Sequence, residues 1–288
     1  MKLQKLTFVI GSFVILCLSF VYLSSLLKKP QDLKIIFLDV GQGDSILILT
    51  PMKKVLLIDA GGGNDIDRKI NTYLPINKRT LDMLFFTHPD LDHVGGALSL
   101  FRRFKIKNLF HSGLFAGNEV YEAIANYSHK ALIPSRELSL GDTFMIEPGL
   151  SLVVFSPHPE LRSYEANDYS LVMKLVYHNT SVLLTGDATQ FVENELINIF
   201  GNNLDSDILK VGHHGSNTST SAAFLDAVHP EYTVLSYGCT NSYGHPHPNV
   251  VSTLYKKKVQ VLDTCMMGDI VFRSDGESFF LETTHIKK

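Results

Sequence analysis

The feature that most constrains this chain is the segment Thr87–Gly96, which reads THPDLDHVGG and follows the apolar run Met83–Phe86. It places four potential metal ligands within six positions, namely His88, Asp90, Asp92 and His93. Side chains alternate along an extended segment, so the first three can point to one side while the fourth joins them from the start of a helix. Pro89 keeps the segment out of helix, and Gly95–Gly96 allow the backbone to approach a bound group. The spacing therefore predicts a metal site.

Other polar clusters adjoin predicted strands, where rigid strands can hold a site and loops leave room for a ligand. They are Asn167-Asp168-Tyr169-Ser170, Thr185-Gly186-Asp187, His213-His214-Gly215-Ser216 and Tyr243-Gly244-His245-Pro246-His247. Strands predicted at Lys34–Val40, Asp44–Thr50 and Val55–Ile58 are closely spaced, which favours an antiparallel meander over a β-α-β order. One helix is predicted at Val94–Phe104, with more strands and helices beyond. This order indicates two sheets with helices outside them.

The N-terminus differs from the rest of the chain in charge and hydropathy. Residues 1–30 contain four lysines and no acid, and Leu6–Leu27 is 22 residues long without a charge. A helix of that length can cross a bilayer. We therefore predict a membrane anchor in residues 1–30 and a hydrolase domain in residues 31–288, with the domain outside the cytoplasm. Removing the four lysines from the 26 basic residues leaves 22 against 29 acids, a net charge of −7. Such a domain has no general attraction for duplex nucleic acid.

Several common sites are excluded by what the motifs lack. Gly41–Asp44 has no third glycine and precedes a strand, which argues against dinucleotide binding. Gly61–Gly63 lacks the lysine of a phosphate-binding loop, and no G-x-S-x-G is present. The cysteines, at 17, 239 and 265, predict no disulfide framework and no zinc finger. Two basic runs, Arg102–Lys107 and Lys256–Lys258, are interpreted as solvated surface, with phosphate binding left open as the alternative.

Taken in order, the motifs resemble the metallo-β-lactamase superfamily, and in particular the domain found in ComEC-type DNA-uptake proteins. The matching segments span most of residues 34–248: LDVGQGDSILI, LLIDAGGG, THPDLDHVGG, N-D-x-S, LLTGD, LKVGHHGS and YGHPHP. ComEC-type proteins also carry a channel of many helices, whereas this chain has one candidate span. The resemblance implies an α/β fold of the α+β kind, an αββα four-layer sandwich with a two-metal site along one edge.

The resemblance also implies a set of metal ligands. One ion would be held by His88 and Asp90, the other by Asp92, His93 and His214, and Asp187 would bridge the two. Relative to the wider superfamily, Asp90 replaces a histidine and a third histidine is missing, with Asn167 or Asp168 nearest that position. The oxygen-rich ligand set favours Mn²⁺ over Zn²⁺ as the two divalent ions, with Zn²⁺ retained as the alternative. Asp59 would orient a ligand. Asn167, Asp168 and Ser170 of the N-D-x-S element would likewise support the ligands or contact the substrate.

A carboxylate-bridged metal pair activates water and clamps a phosphate ester. We therefore expect a metal-dependent phosphodiesterase or nuclease that acts on DNA, with single-stranded DNA as the preferred substrate. No organic cofactor is expected, and the oligomeric state is left open. His213 would hydrogen-bond a phosphoryl oxygen and His245 would stabilise the developing charge or the leaving group. The alternatives are a cell-envelope phosphodiesterase of the choline-phosphate type and a catalytically inactive binding module.

Overall fold

Runs of leucine, isoleucine and valine build two sheets that pack face to face. The computed structural model describes Ser19 and residues 32–113, 119–160 and 165–282, and the residues from Asp32 onward form one compact unit. Within these ranges there is an eight-stranded sheet, a seven-stranded sheet and a two-stranded pair. Three of the first strands read LKIIF, ILIL and VLLI. Branched side chains of this kind suit a pleated surface that is buried on both faces.

The first sheet has the strand order β17-β16-β1-β2-β3-β5-β7-β8. Its strands are β1 (Leu33–Phe37), β2 (Ile46–Leu49), β3 (Val55–Ile58), β5 (Met83–Phe86), β7 (Leu109–His111), β8 (Ser135–Glu137), β16 (Ile270–Ser274) and β17 (Phe279–Leu281). The two-stranded pair is formed by β4 (Thr80–Leu81) and β6 (Lys105–Ile106). The first three strands form the predicted antiparallel meander. From β3 through β5 and β7 to β8 the pairing is parallel.

The second sheet has the order β15-β14-β13-β12-β11-β10-β9. Its strands are β9 (Thr143–Glu147), β10 (Leu150–Ser156), β11 (Val172–Tyr177), β12 (Thr180–Leu184), β13 (Ile208–Lys210), β14 (Tyr232–Leu235) and β15 (Gln260–Asp263). Strands β11 and β12 form an antiparallel hairpin. Strands β12 to β15 are parallel to one another, because helices connect each to the next. Their carboxyl ends therefore share one edge of the sheet.

Helices cover the outer face of each sheet. They are α1 (Ile66–Asn71), α2 (Leu91–Val94), α3 (Ala97–Arg103), α4 (Glu119–Lys130), α5 (Gln190–Phe200), α6 (Ala222–Val228), α7 (Pro248–Lys256) and α8 (Thr264–Met267), and single 3-10 turns lie at Ala166–Tyr169, Gly201–Leu204 and Gly212–Gly215. One apolar cluster lies between the sheets and includes Phe85 and Met173. A second joins the first sheet to helices through residues such as Leu100, and a third joins the second sheet to Leu196 and Leu254. The layers are thus helix, sheet, sheet and helix, as expected.

Among the described residues, no helix is both long and apolar enough to span a bilayer. All of the predicted anchor except Ser19 lies outside those residues. The prediction that the cysteines form no disulfide is wrong, because Cys239 and Cys265 are bonded, with their Cα atoms 5.1 Å apart. They are 26 positions apart in sequence, but each follows the end of one of two paired strands, β14 and β15, and this pairing brings them together.

Candidate metal centre

The predicted ligands come from the carboxyl ends of strands in both sheets. His88 lies two residues beyond β5, Asp187 three beyond β12 and His214 four beyond β13. Each of these strands runs parallel to a neighbour, so their ends meet along the edge where the two sheets face each other. The backbone N–H of Leu171 donates to the carbonyl of Thr87 at 2.9 Å and ties the second sheet to the metal-ligand motif of the first. The fold therefore gathers residues more than 100 positions apart into one site.

The THPDLDH segment is less extended than its spacing suggests. Helix α2 already begins at Leu91, and Asp90 is its N-cap with φ −64° and ψ 144°. Asp92 consequently joins the site from a helix together with His93, and the simple alternation predicted for His88, Asp90 and Asp92 holds only for the first two. The rings of His88 and His93 are completely buried, whereas Asp90 has a side chain that is 47% exposed.

Gly95 and Gly96 lie close to backbone atoms of the segment that follows β3. A Cβ added to Gly95 would lie 2.8 Å from the carbonyl oxygen of Gly62, and one added to Gly96 would lie 2.3 Å from that of Ala60. Both glycines therefore allow α2 and α3 to pack against the backbone that follows β3. Their predicted role toward a bound group stays a prediction.

The centre of the site is formed by two histidines whose ring orientations are fixed. His93 Nδ1 donates to Asp59 Oδ2 at 2.8 Å, and His214 Nδ1 donates to the carbonyl of Ser236 at 2.8 Å. A carbonyl can only accept, so in the neutral ring the proton of His214 lies on Nδ1 and its Nε2 carries a lone pair. The Nε2 atoms of the two rings face each other at 3.3 Å. Two lone pairs at that distance repel unless a cation or a proton lies between them.

Carboxylates complete this arrangement. Asp187 Oδ1 lies 3.3 Å from His93 Nε2, and its Oδ2 lies 3.3 Å from His214 Nε2. Asp92 Oδ2 lies 3.2 Å from the same His214 nitrogen. Imidazole nitrogens and carboxylate oxygens that converge in this way fit Zn²⁺ or Mn²⁺. The structure thus brings together the four residues predicted to hold the second metal ion and the bridge.

The pKa values of the two histidines and of Asp187 show how strongly this centre favours positive charge. Burial of the His214 ring lowers its pKa, but the charge of Asp187 and hydrogen bonds to Asp187 and Asp92 outweigh burial and raise the pKa to about 9. The pKa of His93 is raised well above its usual range, since Asp187 and Asp59 outweigh burial. Burial raises the pKa of Asp187, yet the charges of His214, His93 and Lys210 hold it well below the ordinary value. Protons are held where a divalent cation would otherwise lie.

The first predicted metal position is more open. His88 Nε2 lies 3.7 Å from Asp90 Oδ2 and 3.9 Å from Asp187 Oδ2. This buried nitrogen has no hydrogen-bond partner among the described residues. A buried polar atom without a partner costs free energy of about 1–3 kcal/mol, which a bound cation would recover. His88, Asp90 and Asp187 therefore fit a second ion, in a wider arrangement than the histidine pair.

Two charged residues of the site went unrecognised in the sequence. Asp44, His93, Asp187 and His214 each bring one ligand atom within 4.8 Å of the others. Asp44, however, faces the Nδ1 edges of the histidines, at 4.0 Å from His93 and 3.6 Å from His214. It forms an ion pair with Lys210, whose Nζ also lies 3.4 Å from Asp187 Oδ1 and donates to the carbonyl of Gly186. The side chain of Lys210 is completely buried. Its ammonium group is therefore a buried positive charge beside Asp44 and Asp187.

The adjacent histidines diverge because the backbone turns at both of them. His213 has φ 46° and ψ 47°, and His214 has φ 54° and ψ 23°. Left-handed conformations cost a non-glycine residue roughly 1–2 kcal/mol. The backbone therefore turns at His213, two residues before Gly215. His214 is buried, whereas the side chain of His213 is 24% exposed and its Nε2 lies 3.8 Å from Asp187 Oδ2.

The remaining predicted residues surround His213 or the ligands. The side-chain amide of Asn167 lies 3.5 Å from both ring nitrogens of His213, and the ring of His245 lies 5.6 Å from that of His213. Burial lowers the pKa of His213 despite the Asp187 charge. Burial, followed by the nearby charges of His213 and His214, lowers that of His245. Both imidazoles are therefore neutral near pH 7.

Ser170 and Asp59 have clear positioning contacts. Ser170 Oγ accepts from the backbone N–H of Asp187 at 3.1 Å, and Asp59 accepts from the backbone and the hydroxyl of Thr87 at 2.8 and 2.7 Å as well as from His93. Asp168 differs: its carboxylate accepts from the hydroxyl of Thr189, which precedes α5. Of the two residues nearest the missing third histidine, Asn167 lies beside His213.

Comparison with known proteins agrees with this arrangement. Residues 38–238 match the metallo-β-lactamase superfamily. ComE operon protein 3 of Bacillus subtilis is 32% identical over 254 residues, which cover 82% of this chain and 32% of that protein. Competence protein ComA of Neisseria gonorrhoeae is 33% identical over 236 residues, covering 81% of this chain and 31% of that protein. The chain thus spans about a third of the length of these relatives.

Solved structures share the fold at low identity. The diiron β-hydroxylase CmlA of Streptomyces venezuelae superposes with a TM-score of 0.56 at 13% identity, over 85% of this chain and 55% of that one. Zinc-bound PqqB of Methylobacterium extorquens gives 0.50 at 15% identity, over 77% and 85%. With the layers, the ligand cluster and the relatives in agreement, the chain belongs to the metallo-β-lactamase superfamily and has ComEC-type competence proteins among its relatives.

Proposed function

We propose that this protein is a metal-dependent phosphodiesterase that cleaves single-stranded DNA. The observation that carries the proposal is the convergence of two histidine Nε2 atoms, 3.3 Å apart, on the carboxylate of Asp187. Both rings are held by hydrogen bonds at Nδ1, so the site is organised for a cation before substrate arrives. Two relatives are named as a competence protein and a recombination protein, and these names favour DNA as the phosphodiester substrate.

Two divalent ions, Mn²⁺ or Zn²⁺, would occupy the site. Asp92, His93 and His214 would hold one, His88 and Asp90 the other, and Asp187 would bridge them. When bound, such a pair lowers the pKa of water and withdraws charge from the phosphate ester. Lys210 already balances part of the charge of Asp44 and Asp187. Together with the larger effects of His214 and His93, its ammonium holds the pKa of the Asp187 carboxyl below its usual range.

His213 and His245 would act on the substrate. Both have lowered pKa values and are neutral near pH 7, so each can donate one N–H without carrying a charge. His213 would donate to a phosphoryl oxygen, positioned by Asn167 and by Thr218 Oγ1, which is 3.1 Å from its Nδ1. His245 lies beside it and would stabilise the charge that develops on the leaving oxygen.

The protein would act at the outer side of a membrane, held by residues 1–30. The uncharged run Leu6–Leu27 supports an anchor. The disulfide between Cys239 and Cys265 supports an oxidising compartment for the domain, because such bonds are rare where cytosolic thiol systems operate. A cell-envelope phosphodiester is the second candidate substrate, favoured by the net charge of −7 after residue 30.

The test compares substrates with the full chain in detergent micelles. We expect the metal-loaded protein to cleave single-stranded DNA faster than duplex DNA, and Asp187→Asn to lose both cleavage and metal measured by mass spectrometry. Turnover of p-nitrophenyl phosphorylcholine without DNA cleavage would show that the substrate is a cell-envelope ester rather than DNA. A protein that binds metal and hydrolyses neither substrate would be a binding module, and the proposal would be wrong.

A further inference from the structure

Beside the candidate metal centre lies an open groove that the chemistry described so far does not use. It has a volume of about 710 Å³ and is lined by Pro246, Pro248, Val251, Ser252, Tyr255 and Lys256. We call it the α7 groove, since most of its lining comes from that helix. Pro246 stands between His245 and His247 in the chain and packs against the HHG turn, where a Cβ on Gly215 would lie 2.7 Å from the Cβ of Pro246. Pro246 therefore belongs both to the groove and to the surroundings of the turn that carries His213 and His214.

Aromatic rings are exposed at this surface. Tyr255 is 68% exposed and lines the groove. Tyr243 is 65% exposed, and its ring stacks on that of His245 with centroids 5.7 Å apart and an angle of 20° between the planes. A single exposed tyrosine needs no explanation. Here one lies in a groove and the other lies against a predicted catalytic histidine, so each ring presents a planar apolar face on which a base can stack.

The local charge is positive although the domain is acidic. Lys256 lines the groove, and the helix Pro248–Lys256 contains no acidic residue. Its neighbour Lys257 is paired with Asp226, whereas Lys256 has no salt-bridge partner among the described residues. Because the net charge after residue 30 is −7, a polyanion gains little from the protein as a whole. Any affinity for a polyanion must arise from local contacts of this kind.

We propose that the α7 groove binds the nucleotides of single-stranded DNA that flank the scissile phosphate, with Tyr255 stacking on a base and Lys256 contacting a backbone phosphate. The inference rests on the proposed function, since it places the cleaved phosphate at the metal centre. Stacking on aromatic rings and contacts from basic side chains are how proteins hold single strands without reading sequence. A duplex keeps its bases stacked inside and offers none to Tyr255. The groove thus accounts for a preference for single strands.

The experiment separates binding of a strand from the chemistry on a small ester. The full chain is compared with Tyr255→Ala, Lys256→Ala and the conservative Tyr255→Phe. Tyr127→Ala is the matched control, because Tyr127 is also partly exposed but stacks on Phe101 in another layer. Two quantities are measured with Mn²⁺ present: the Kd for a fluorescent phosphorothioate (dT)20 that resists cleavage, and kcat/KM for bis(p-nitrophenyl) phosphate.

We expect Tyr255→Ala and Lys256→Ala each to raise the Kd by about tenfold, with Tyr255→Phe and Tyr127→Ala within twofold of the unchanged protein. Turnover of the small ester should stay the same in all of them. Unchanged oligonucleotide affinity in both alanine variants overturns the proposal, and so does an equal loss on both substrates. An RNA of the same length that binds more than tenfold more tightly overturns the choice of DNA.

The outcomes for the unchanged protein distinguish this inference from the proposed function. If the protein hydrolyses the small ester but does not measurably bind the oligonucleotide, the groove proposal is wrong and the phosphodiesterase proposal stands. If the oligonucleotide binds in a way that depends on Tyr255, while neither the ester nor DNA is cleaved with metal present, the groove proposal stands and the hydrolase proposal is wrong.

Discussion

His93 Nε2 and His214 Nε2 face each other at 3.3 Å although 121 positions separate the two residues. Their Nδ1 atoms are committed to Asp59 and to the carbonyl of Ser236. Neither ring can rotate to relieve the contact without losing a hydrogen bond. In the absence of a metal ion a proton is the cation that stabilises the pair, and this has a measurable dependence on pH.

The metal-free protein should lose stability as the pH rises from about 6.5 to about 9. The pKa of His214 is about 9 in the fold against an ordinary value of 6.5. A raised pKa stabilises the fold fully below the unfolded value, and that contribution disappears as the pH passes the folded value. The shift corresponds to roughly 3 kcal/mol. Urea unfolding in EDTA at pH 6, 7.5 and 9 measures it.

The metal-loaded protein is the control for that experiment, because metal replaces the proton and affinity for metal should rise over the same pH range. His214→Gln should show a smaller loss of stability, since only the raised pKa of His93 would remain. Stability that stays constant or rises across this window in EDTA would contradict the assignment of the proton to the histidine pair.

Much of this site could be predicted from sequence because the ligands cluster in short motifs. His88, Asp92, His93, Asp187 and His214 meet as expected, and the layers follow from the apolar strands. The start of α2 at Leu91 was not predicted. The backbone is extended only to Asp90 and becomes helical two residues after Pro89. One local signal was available for the missed residues: Asp44 lies in the G-Q-G-D stretch that was considered only for dinucleotide binding.

Lys210 and the disulfide were missed for a different reason. Lys210 lies within the apolar strand segment Leu209–Val211, where its side chain would ordinarily reach solvent. Its burial follows from contacts with Asp44 and Asp187, which are distant in sequence. The pairing of Cys239 with Cys265 likewise depends on which strands become neighbours in the second sheet. No spacing rule within a single sequence specifies contacts of this range.

Replacing Lys210 should destabilise the metal-free protein strongly. Lys210→Met leaves the carboxylates of Asp44 and Asp187 buried without their cation, and breaking a buried pair in this way costs about 3–5 kcal/mol. Excess Mn²⁺ should restore part of that loss, because a divalent ion also neutralises Asp187. Denaturant unfolding with EDTA and with Mn²⁺ measures both effects.

A surface lysine provides the comparison for this variant. Lys257→Met removes a pair with Asp226 whose carboxylate side chain is 63% exposed, and such pairs contribute about 0–1 kcal/mol. Equal losses in the two variants would show that Lys210 does not carry a special charge-balancing role.

Reduction of the disulfide should loosen the segment that carries His245. The bond closes a loop between residues 26 positions apart, and bonds of this kind stabilise small domains by about 2–4 kcal/mol. Cys239→Ser with Cys265→Ser should therefore lower the free energy of unfolding by that amount while metal content stays the same. Mass spectrometry of bound metal and urea unfolding are the measurements, and dithiothreitol should change the wild-type protein but not the double variant.

Deleting residues 1–30 should release an active domain from the membrane. Every proposed metal ligand lies at or beyond His88, so the shortened chain should bind the same metals and cleave the same substrate. Centrifugation of membranes followed by metal analysis tests this. A shortened protein that keeps its metals yet remains in the membrane fraction would show that the anchor was assigned to the wrong segment.

The sharpest prediction separates the roles of His213 and His214. His214 Nε2 lies 3.2 Å from Asp92 Oδ2 and 3.3 Å from Asp187 Oδ2, whereas His213 Nε2 is 3.8 Å from Asp187 and its side chain is partly exposed. His214→Ala should therefore lose bound metal together with activity. His213→Ala should keep its metal and lose about 10²–10³ in kcat, the usual cost of removing one donor to the transition state.

Metal analysis and steady-state kinetics on the two variants decide the assignment. His229→Ala, at the C-cap of α6, is a suitable control because it replaces another left-handed histidine outside the site. If His213→Ala loses metal while His214→Ala retains it, the two roles are reversed. If both variants keep metal and lose kcat equally, the HHG turn acts on the substrate with both rings, and the ion must be held by Asp92, His93 and Asp187 without His214.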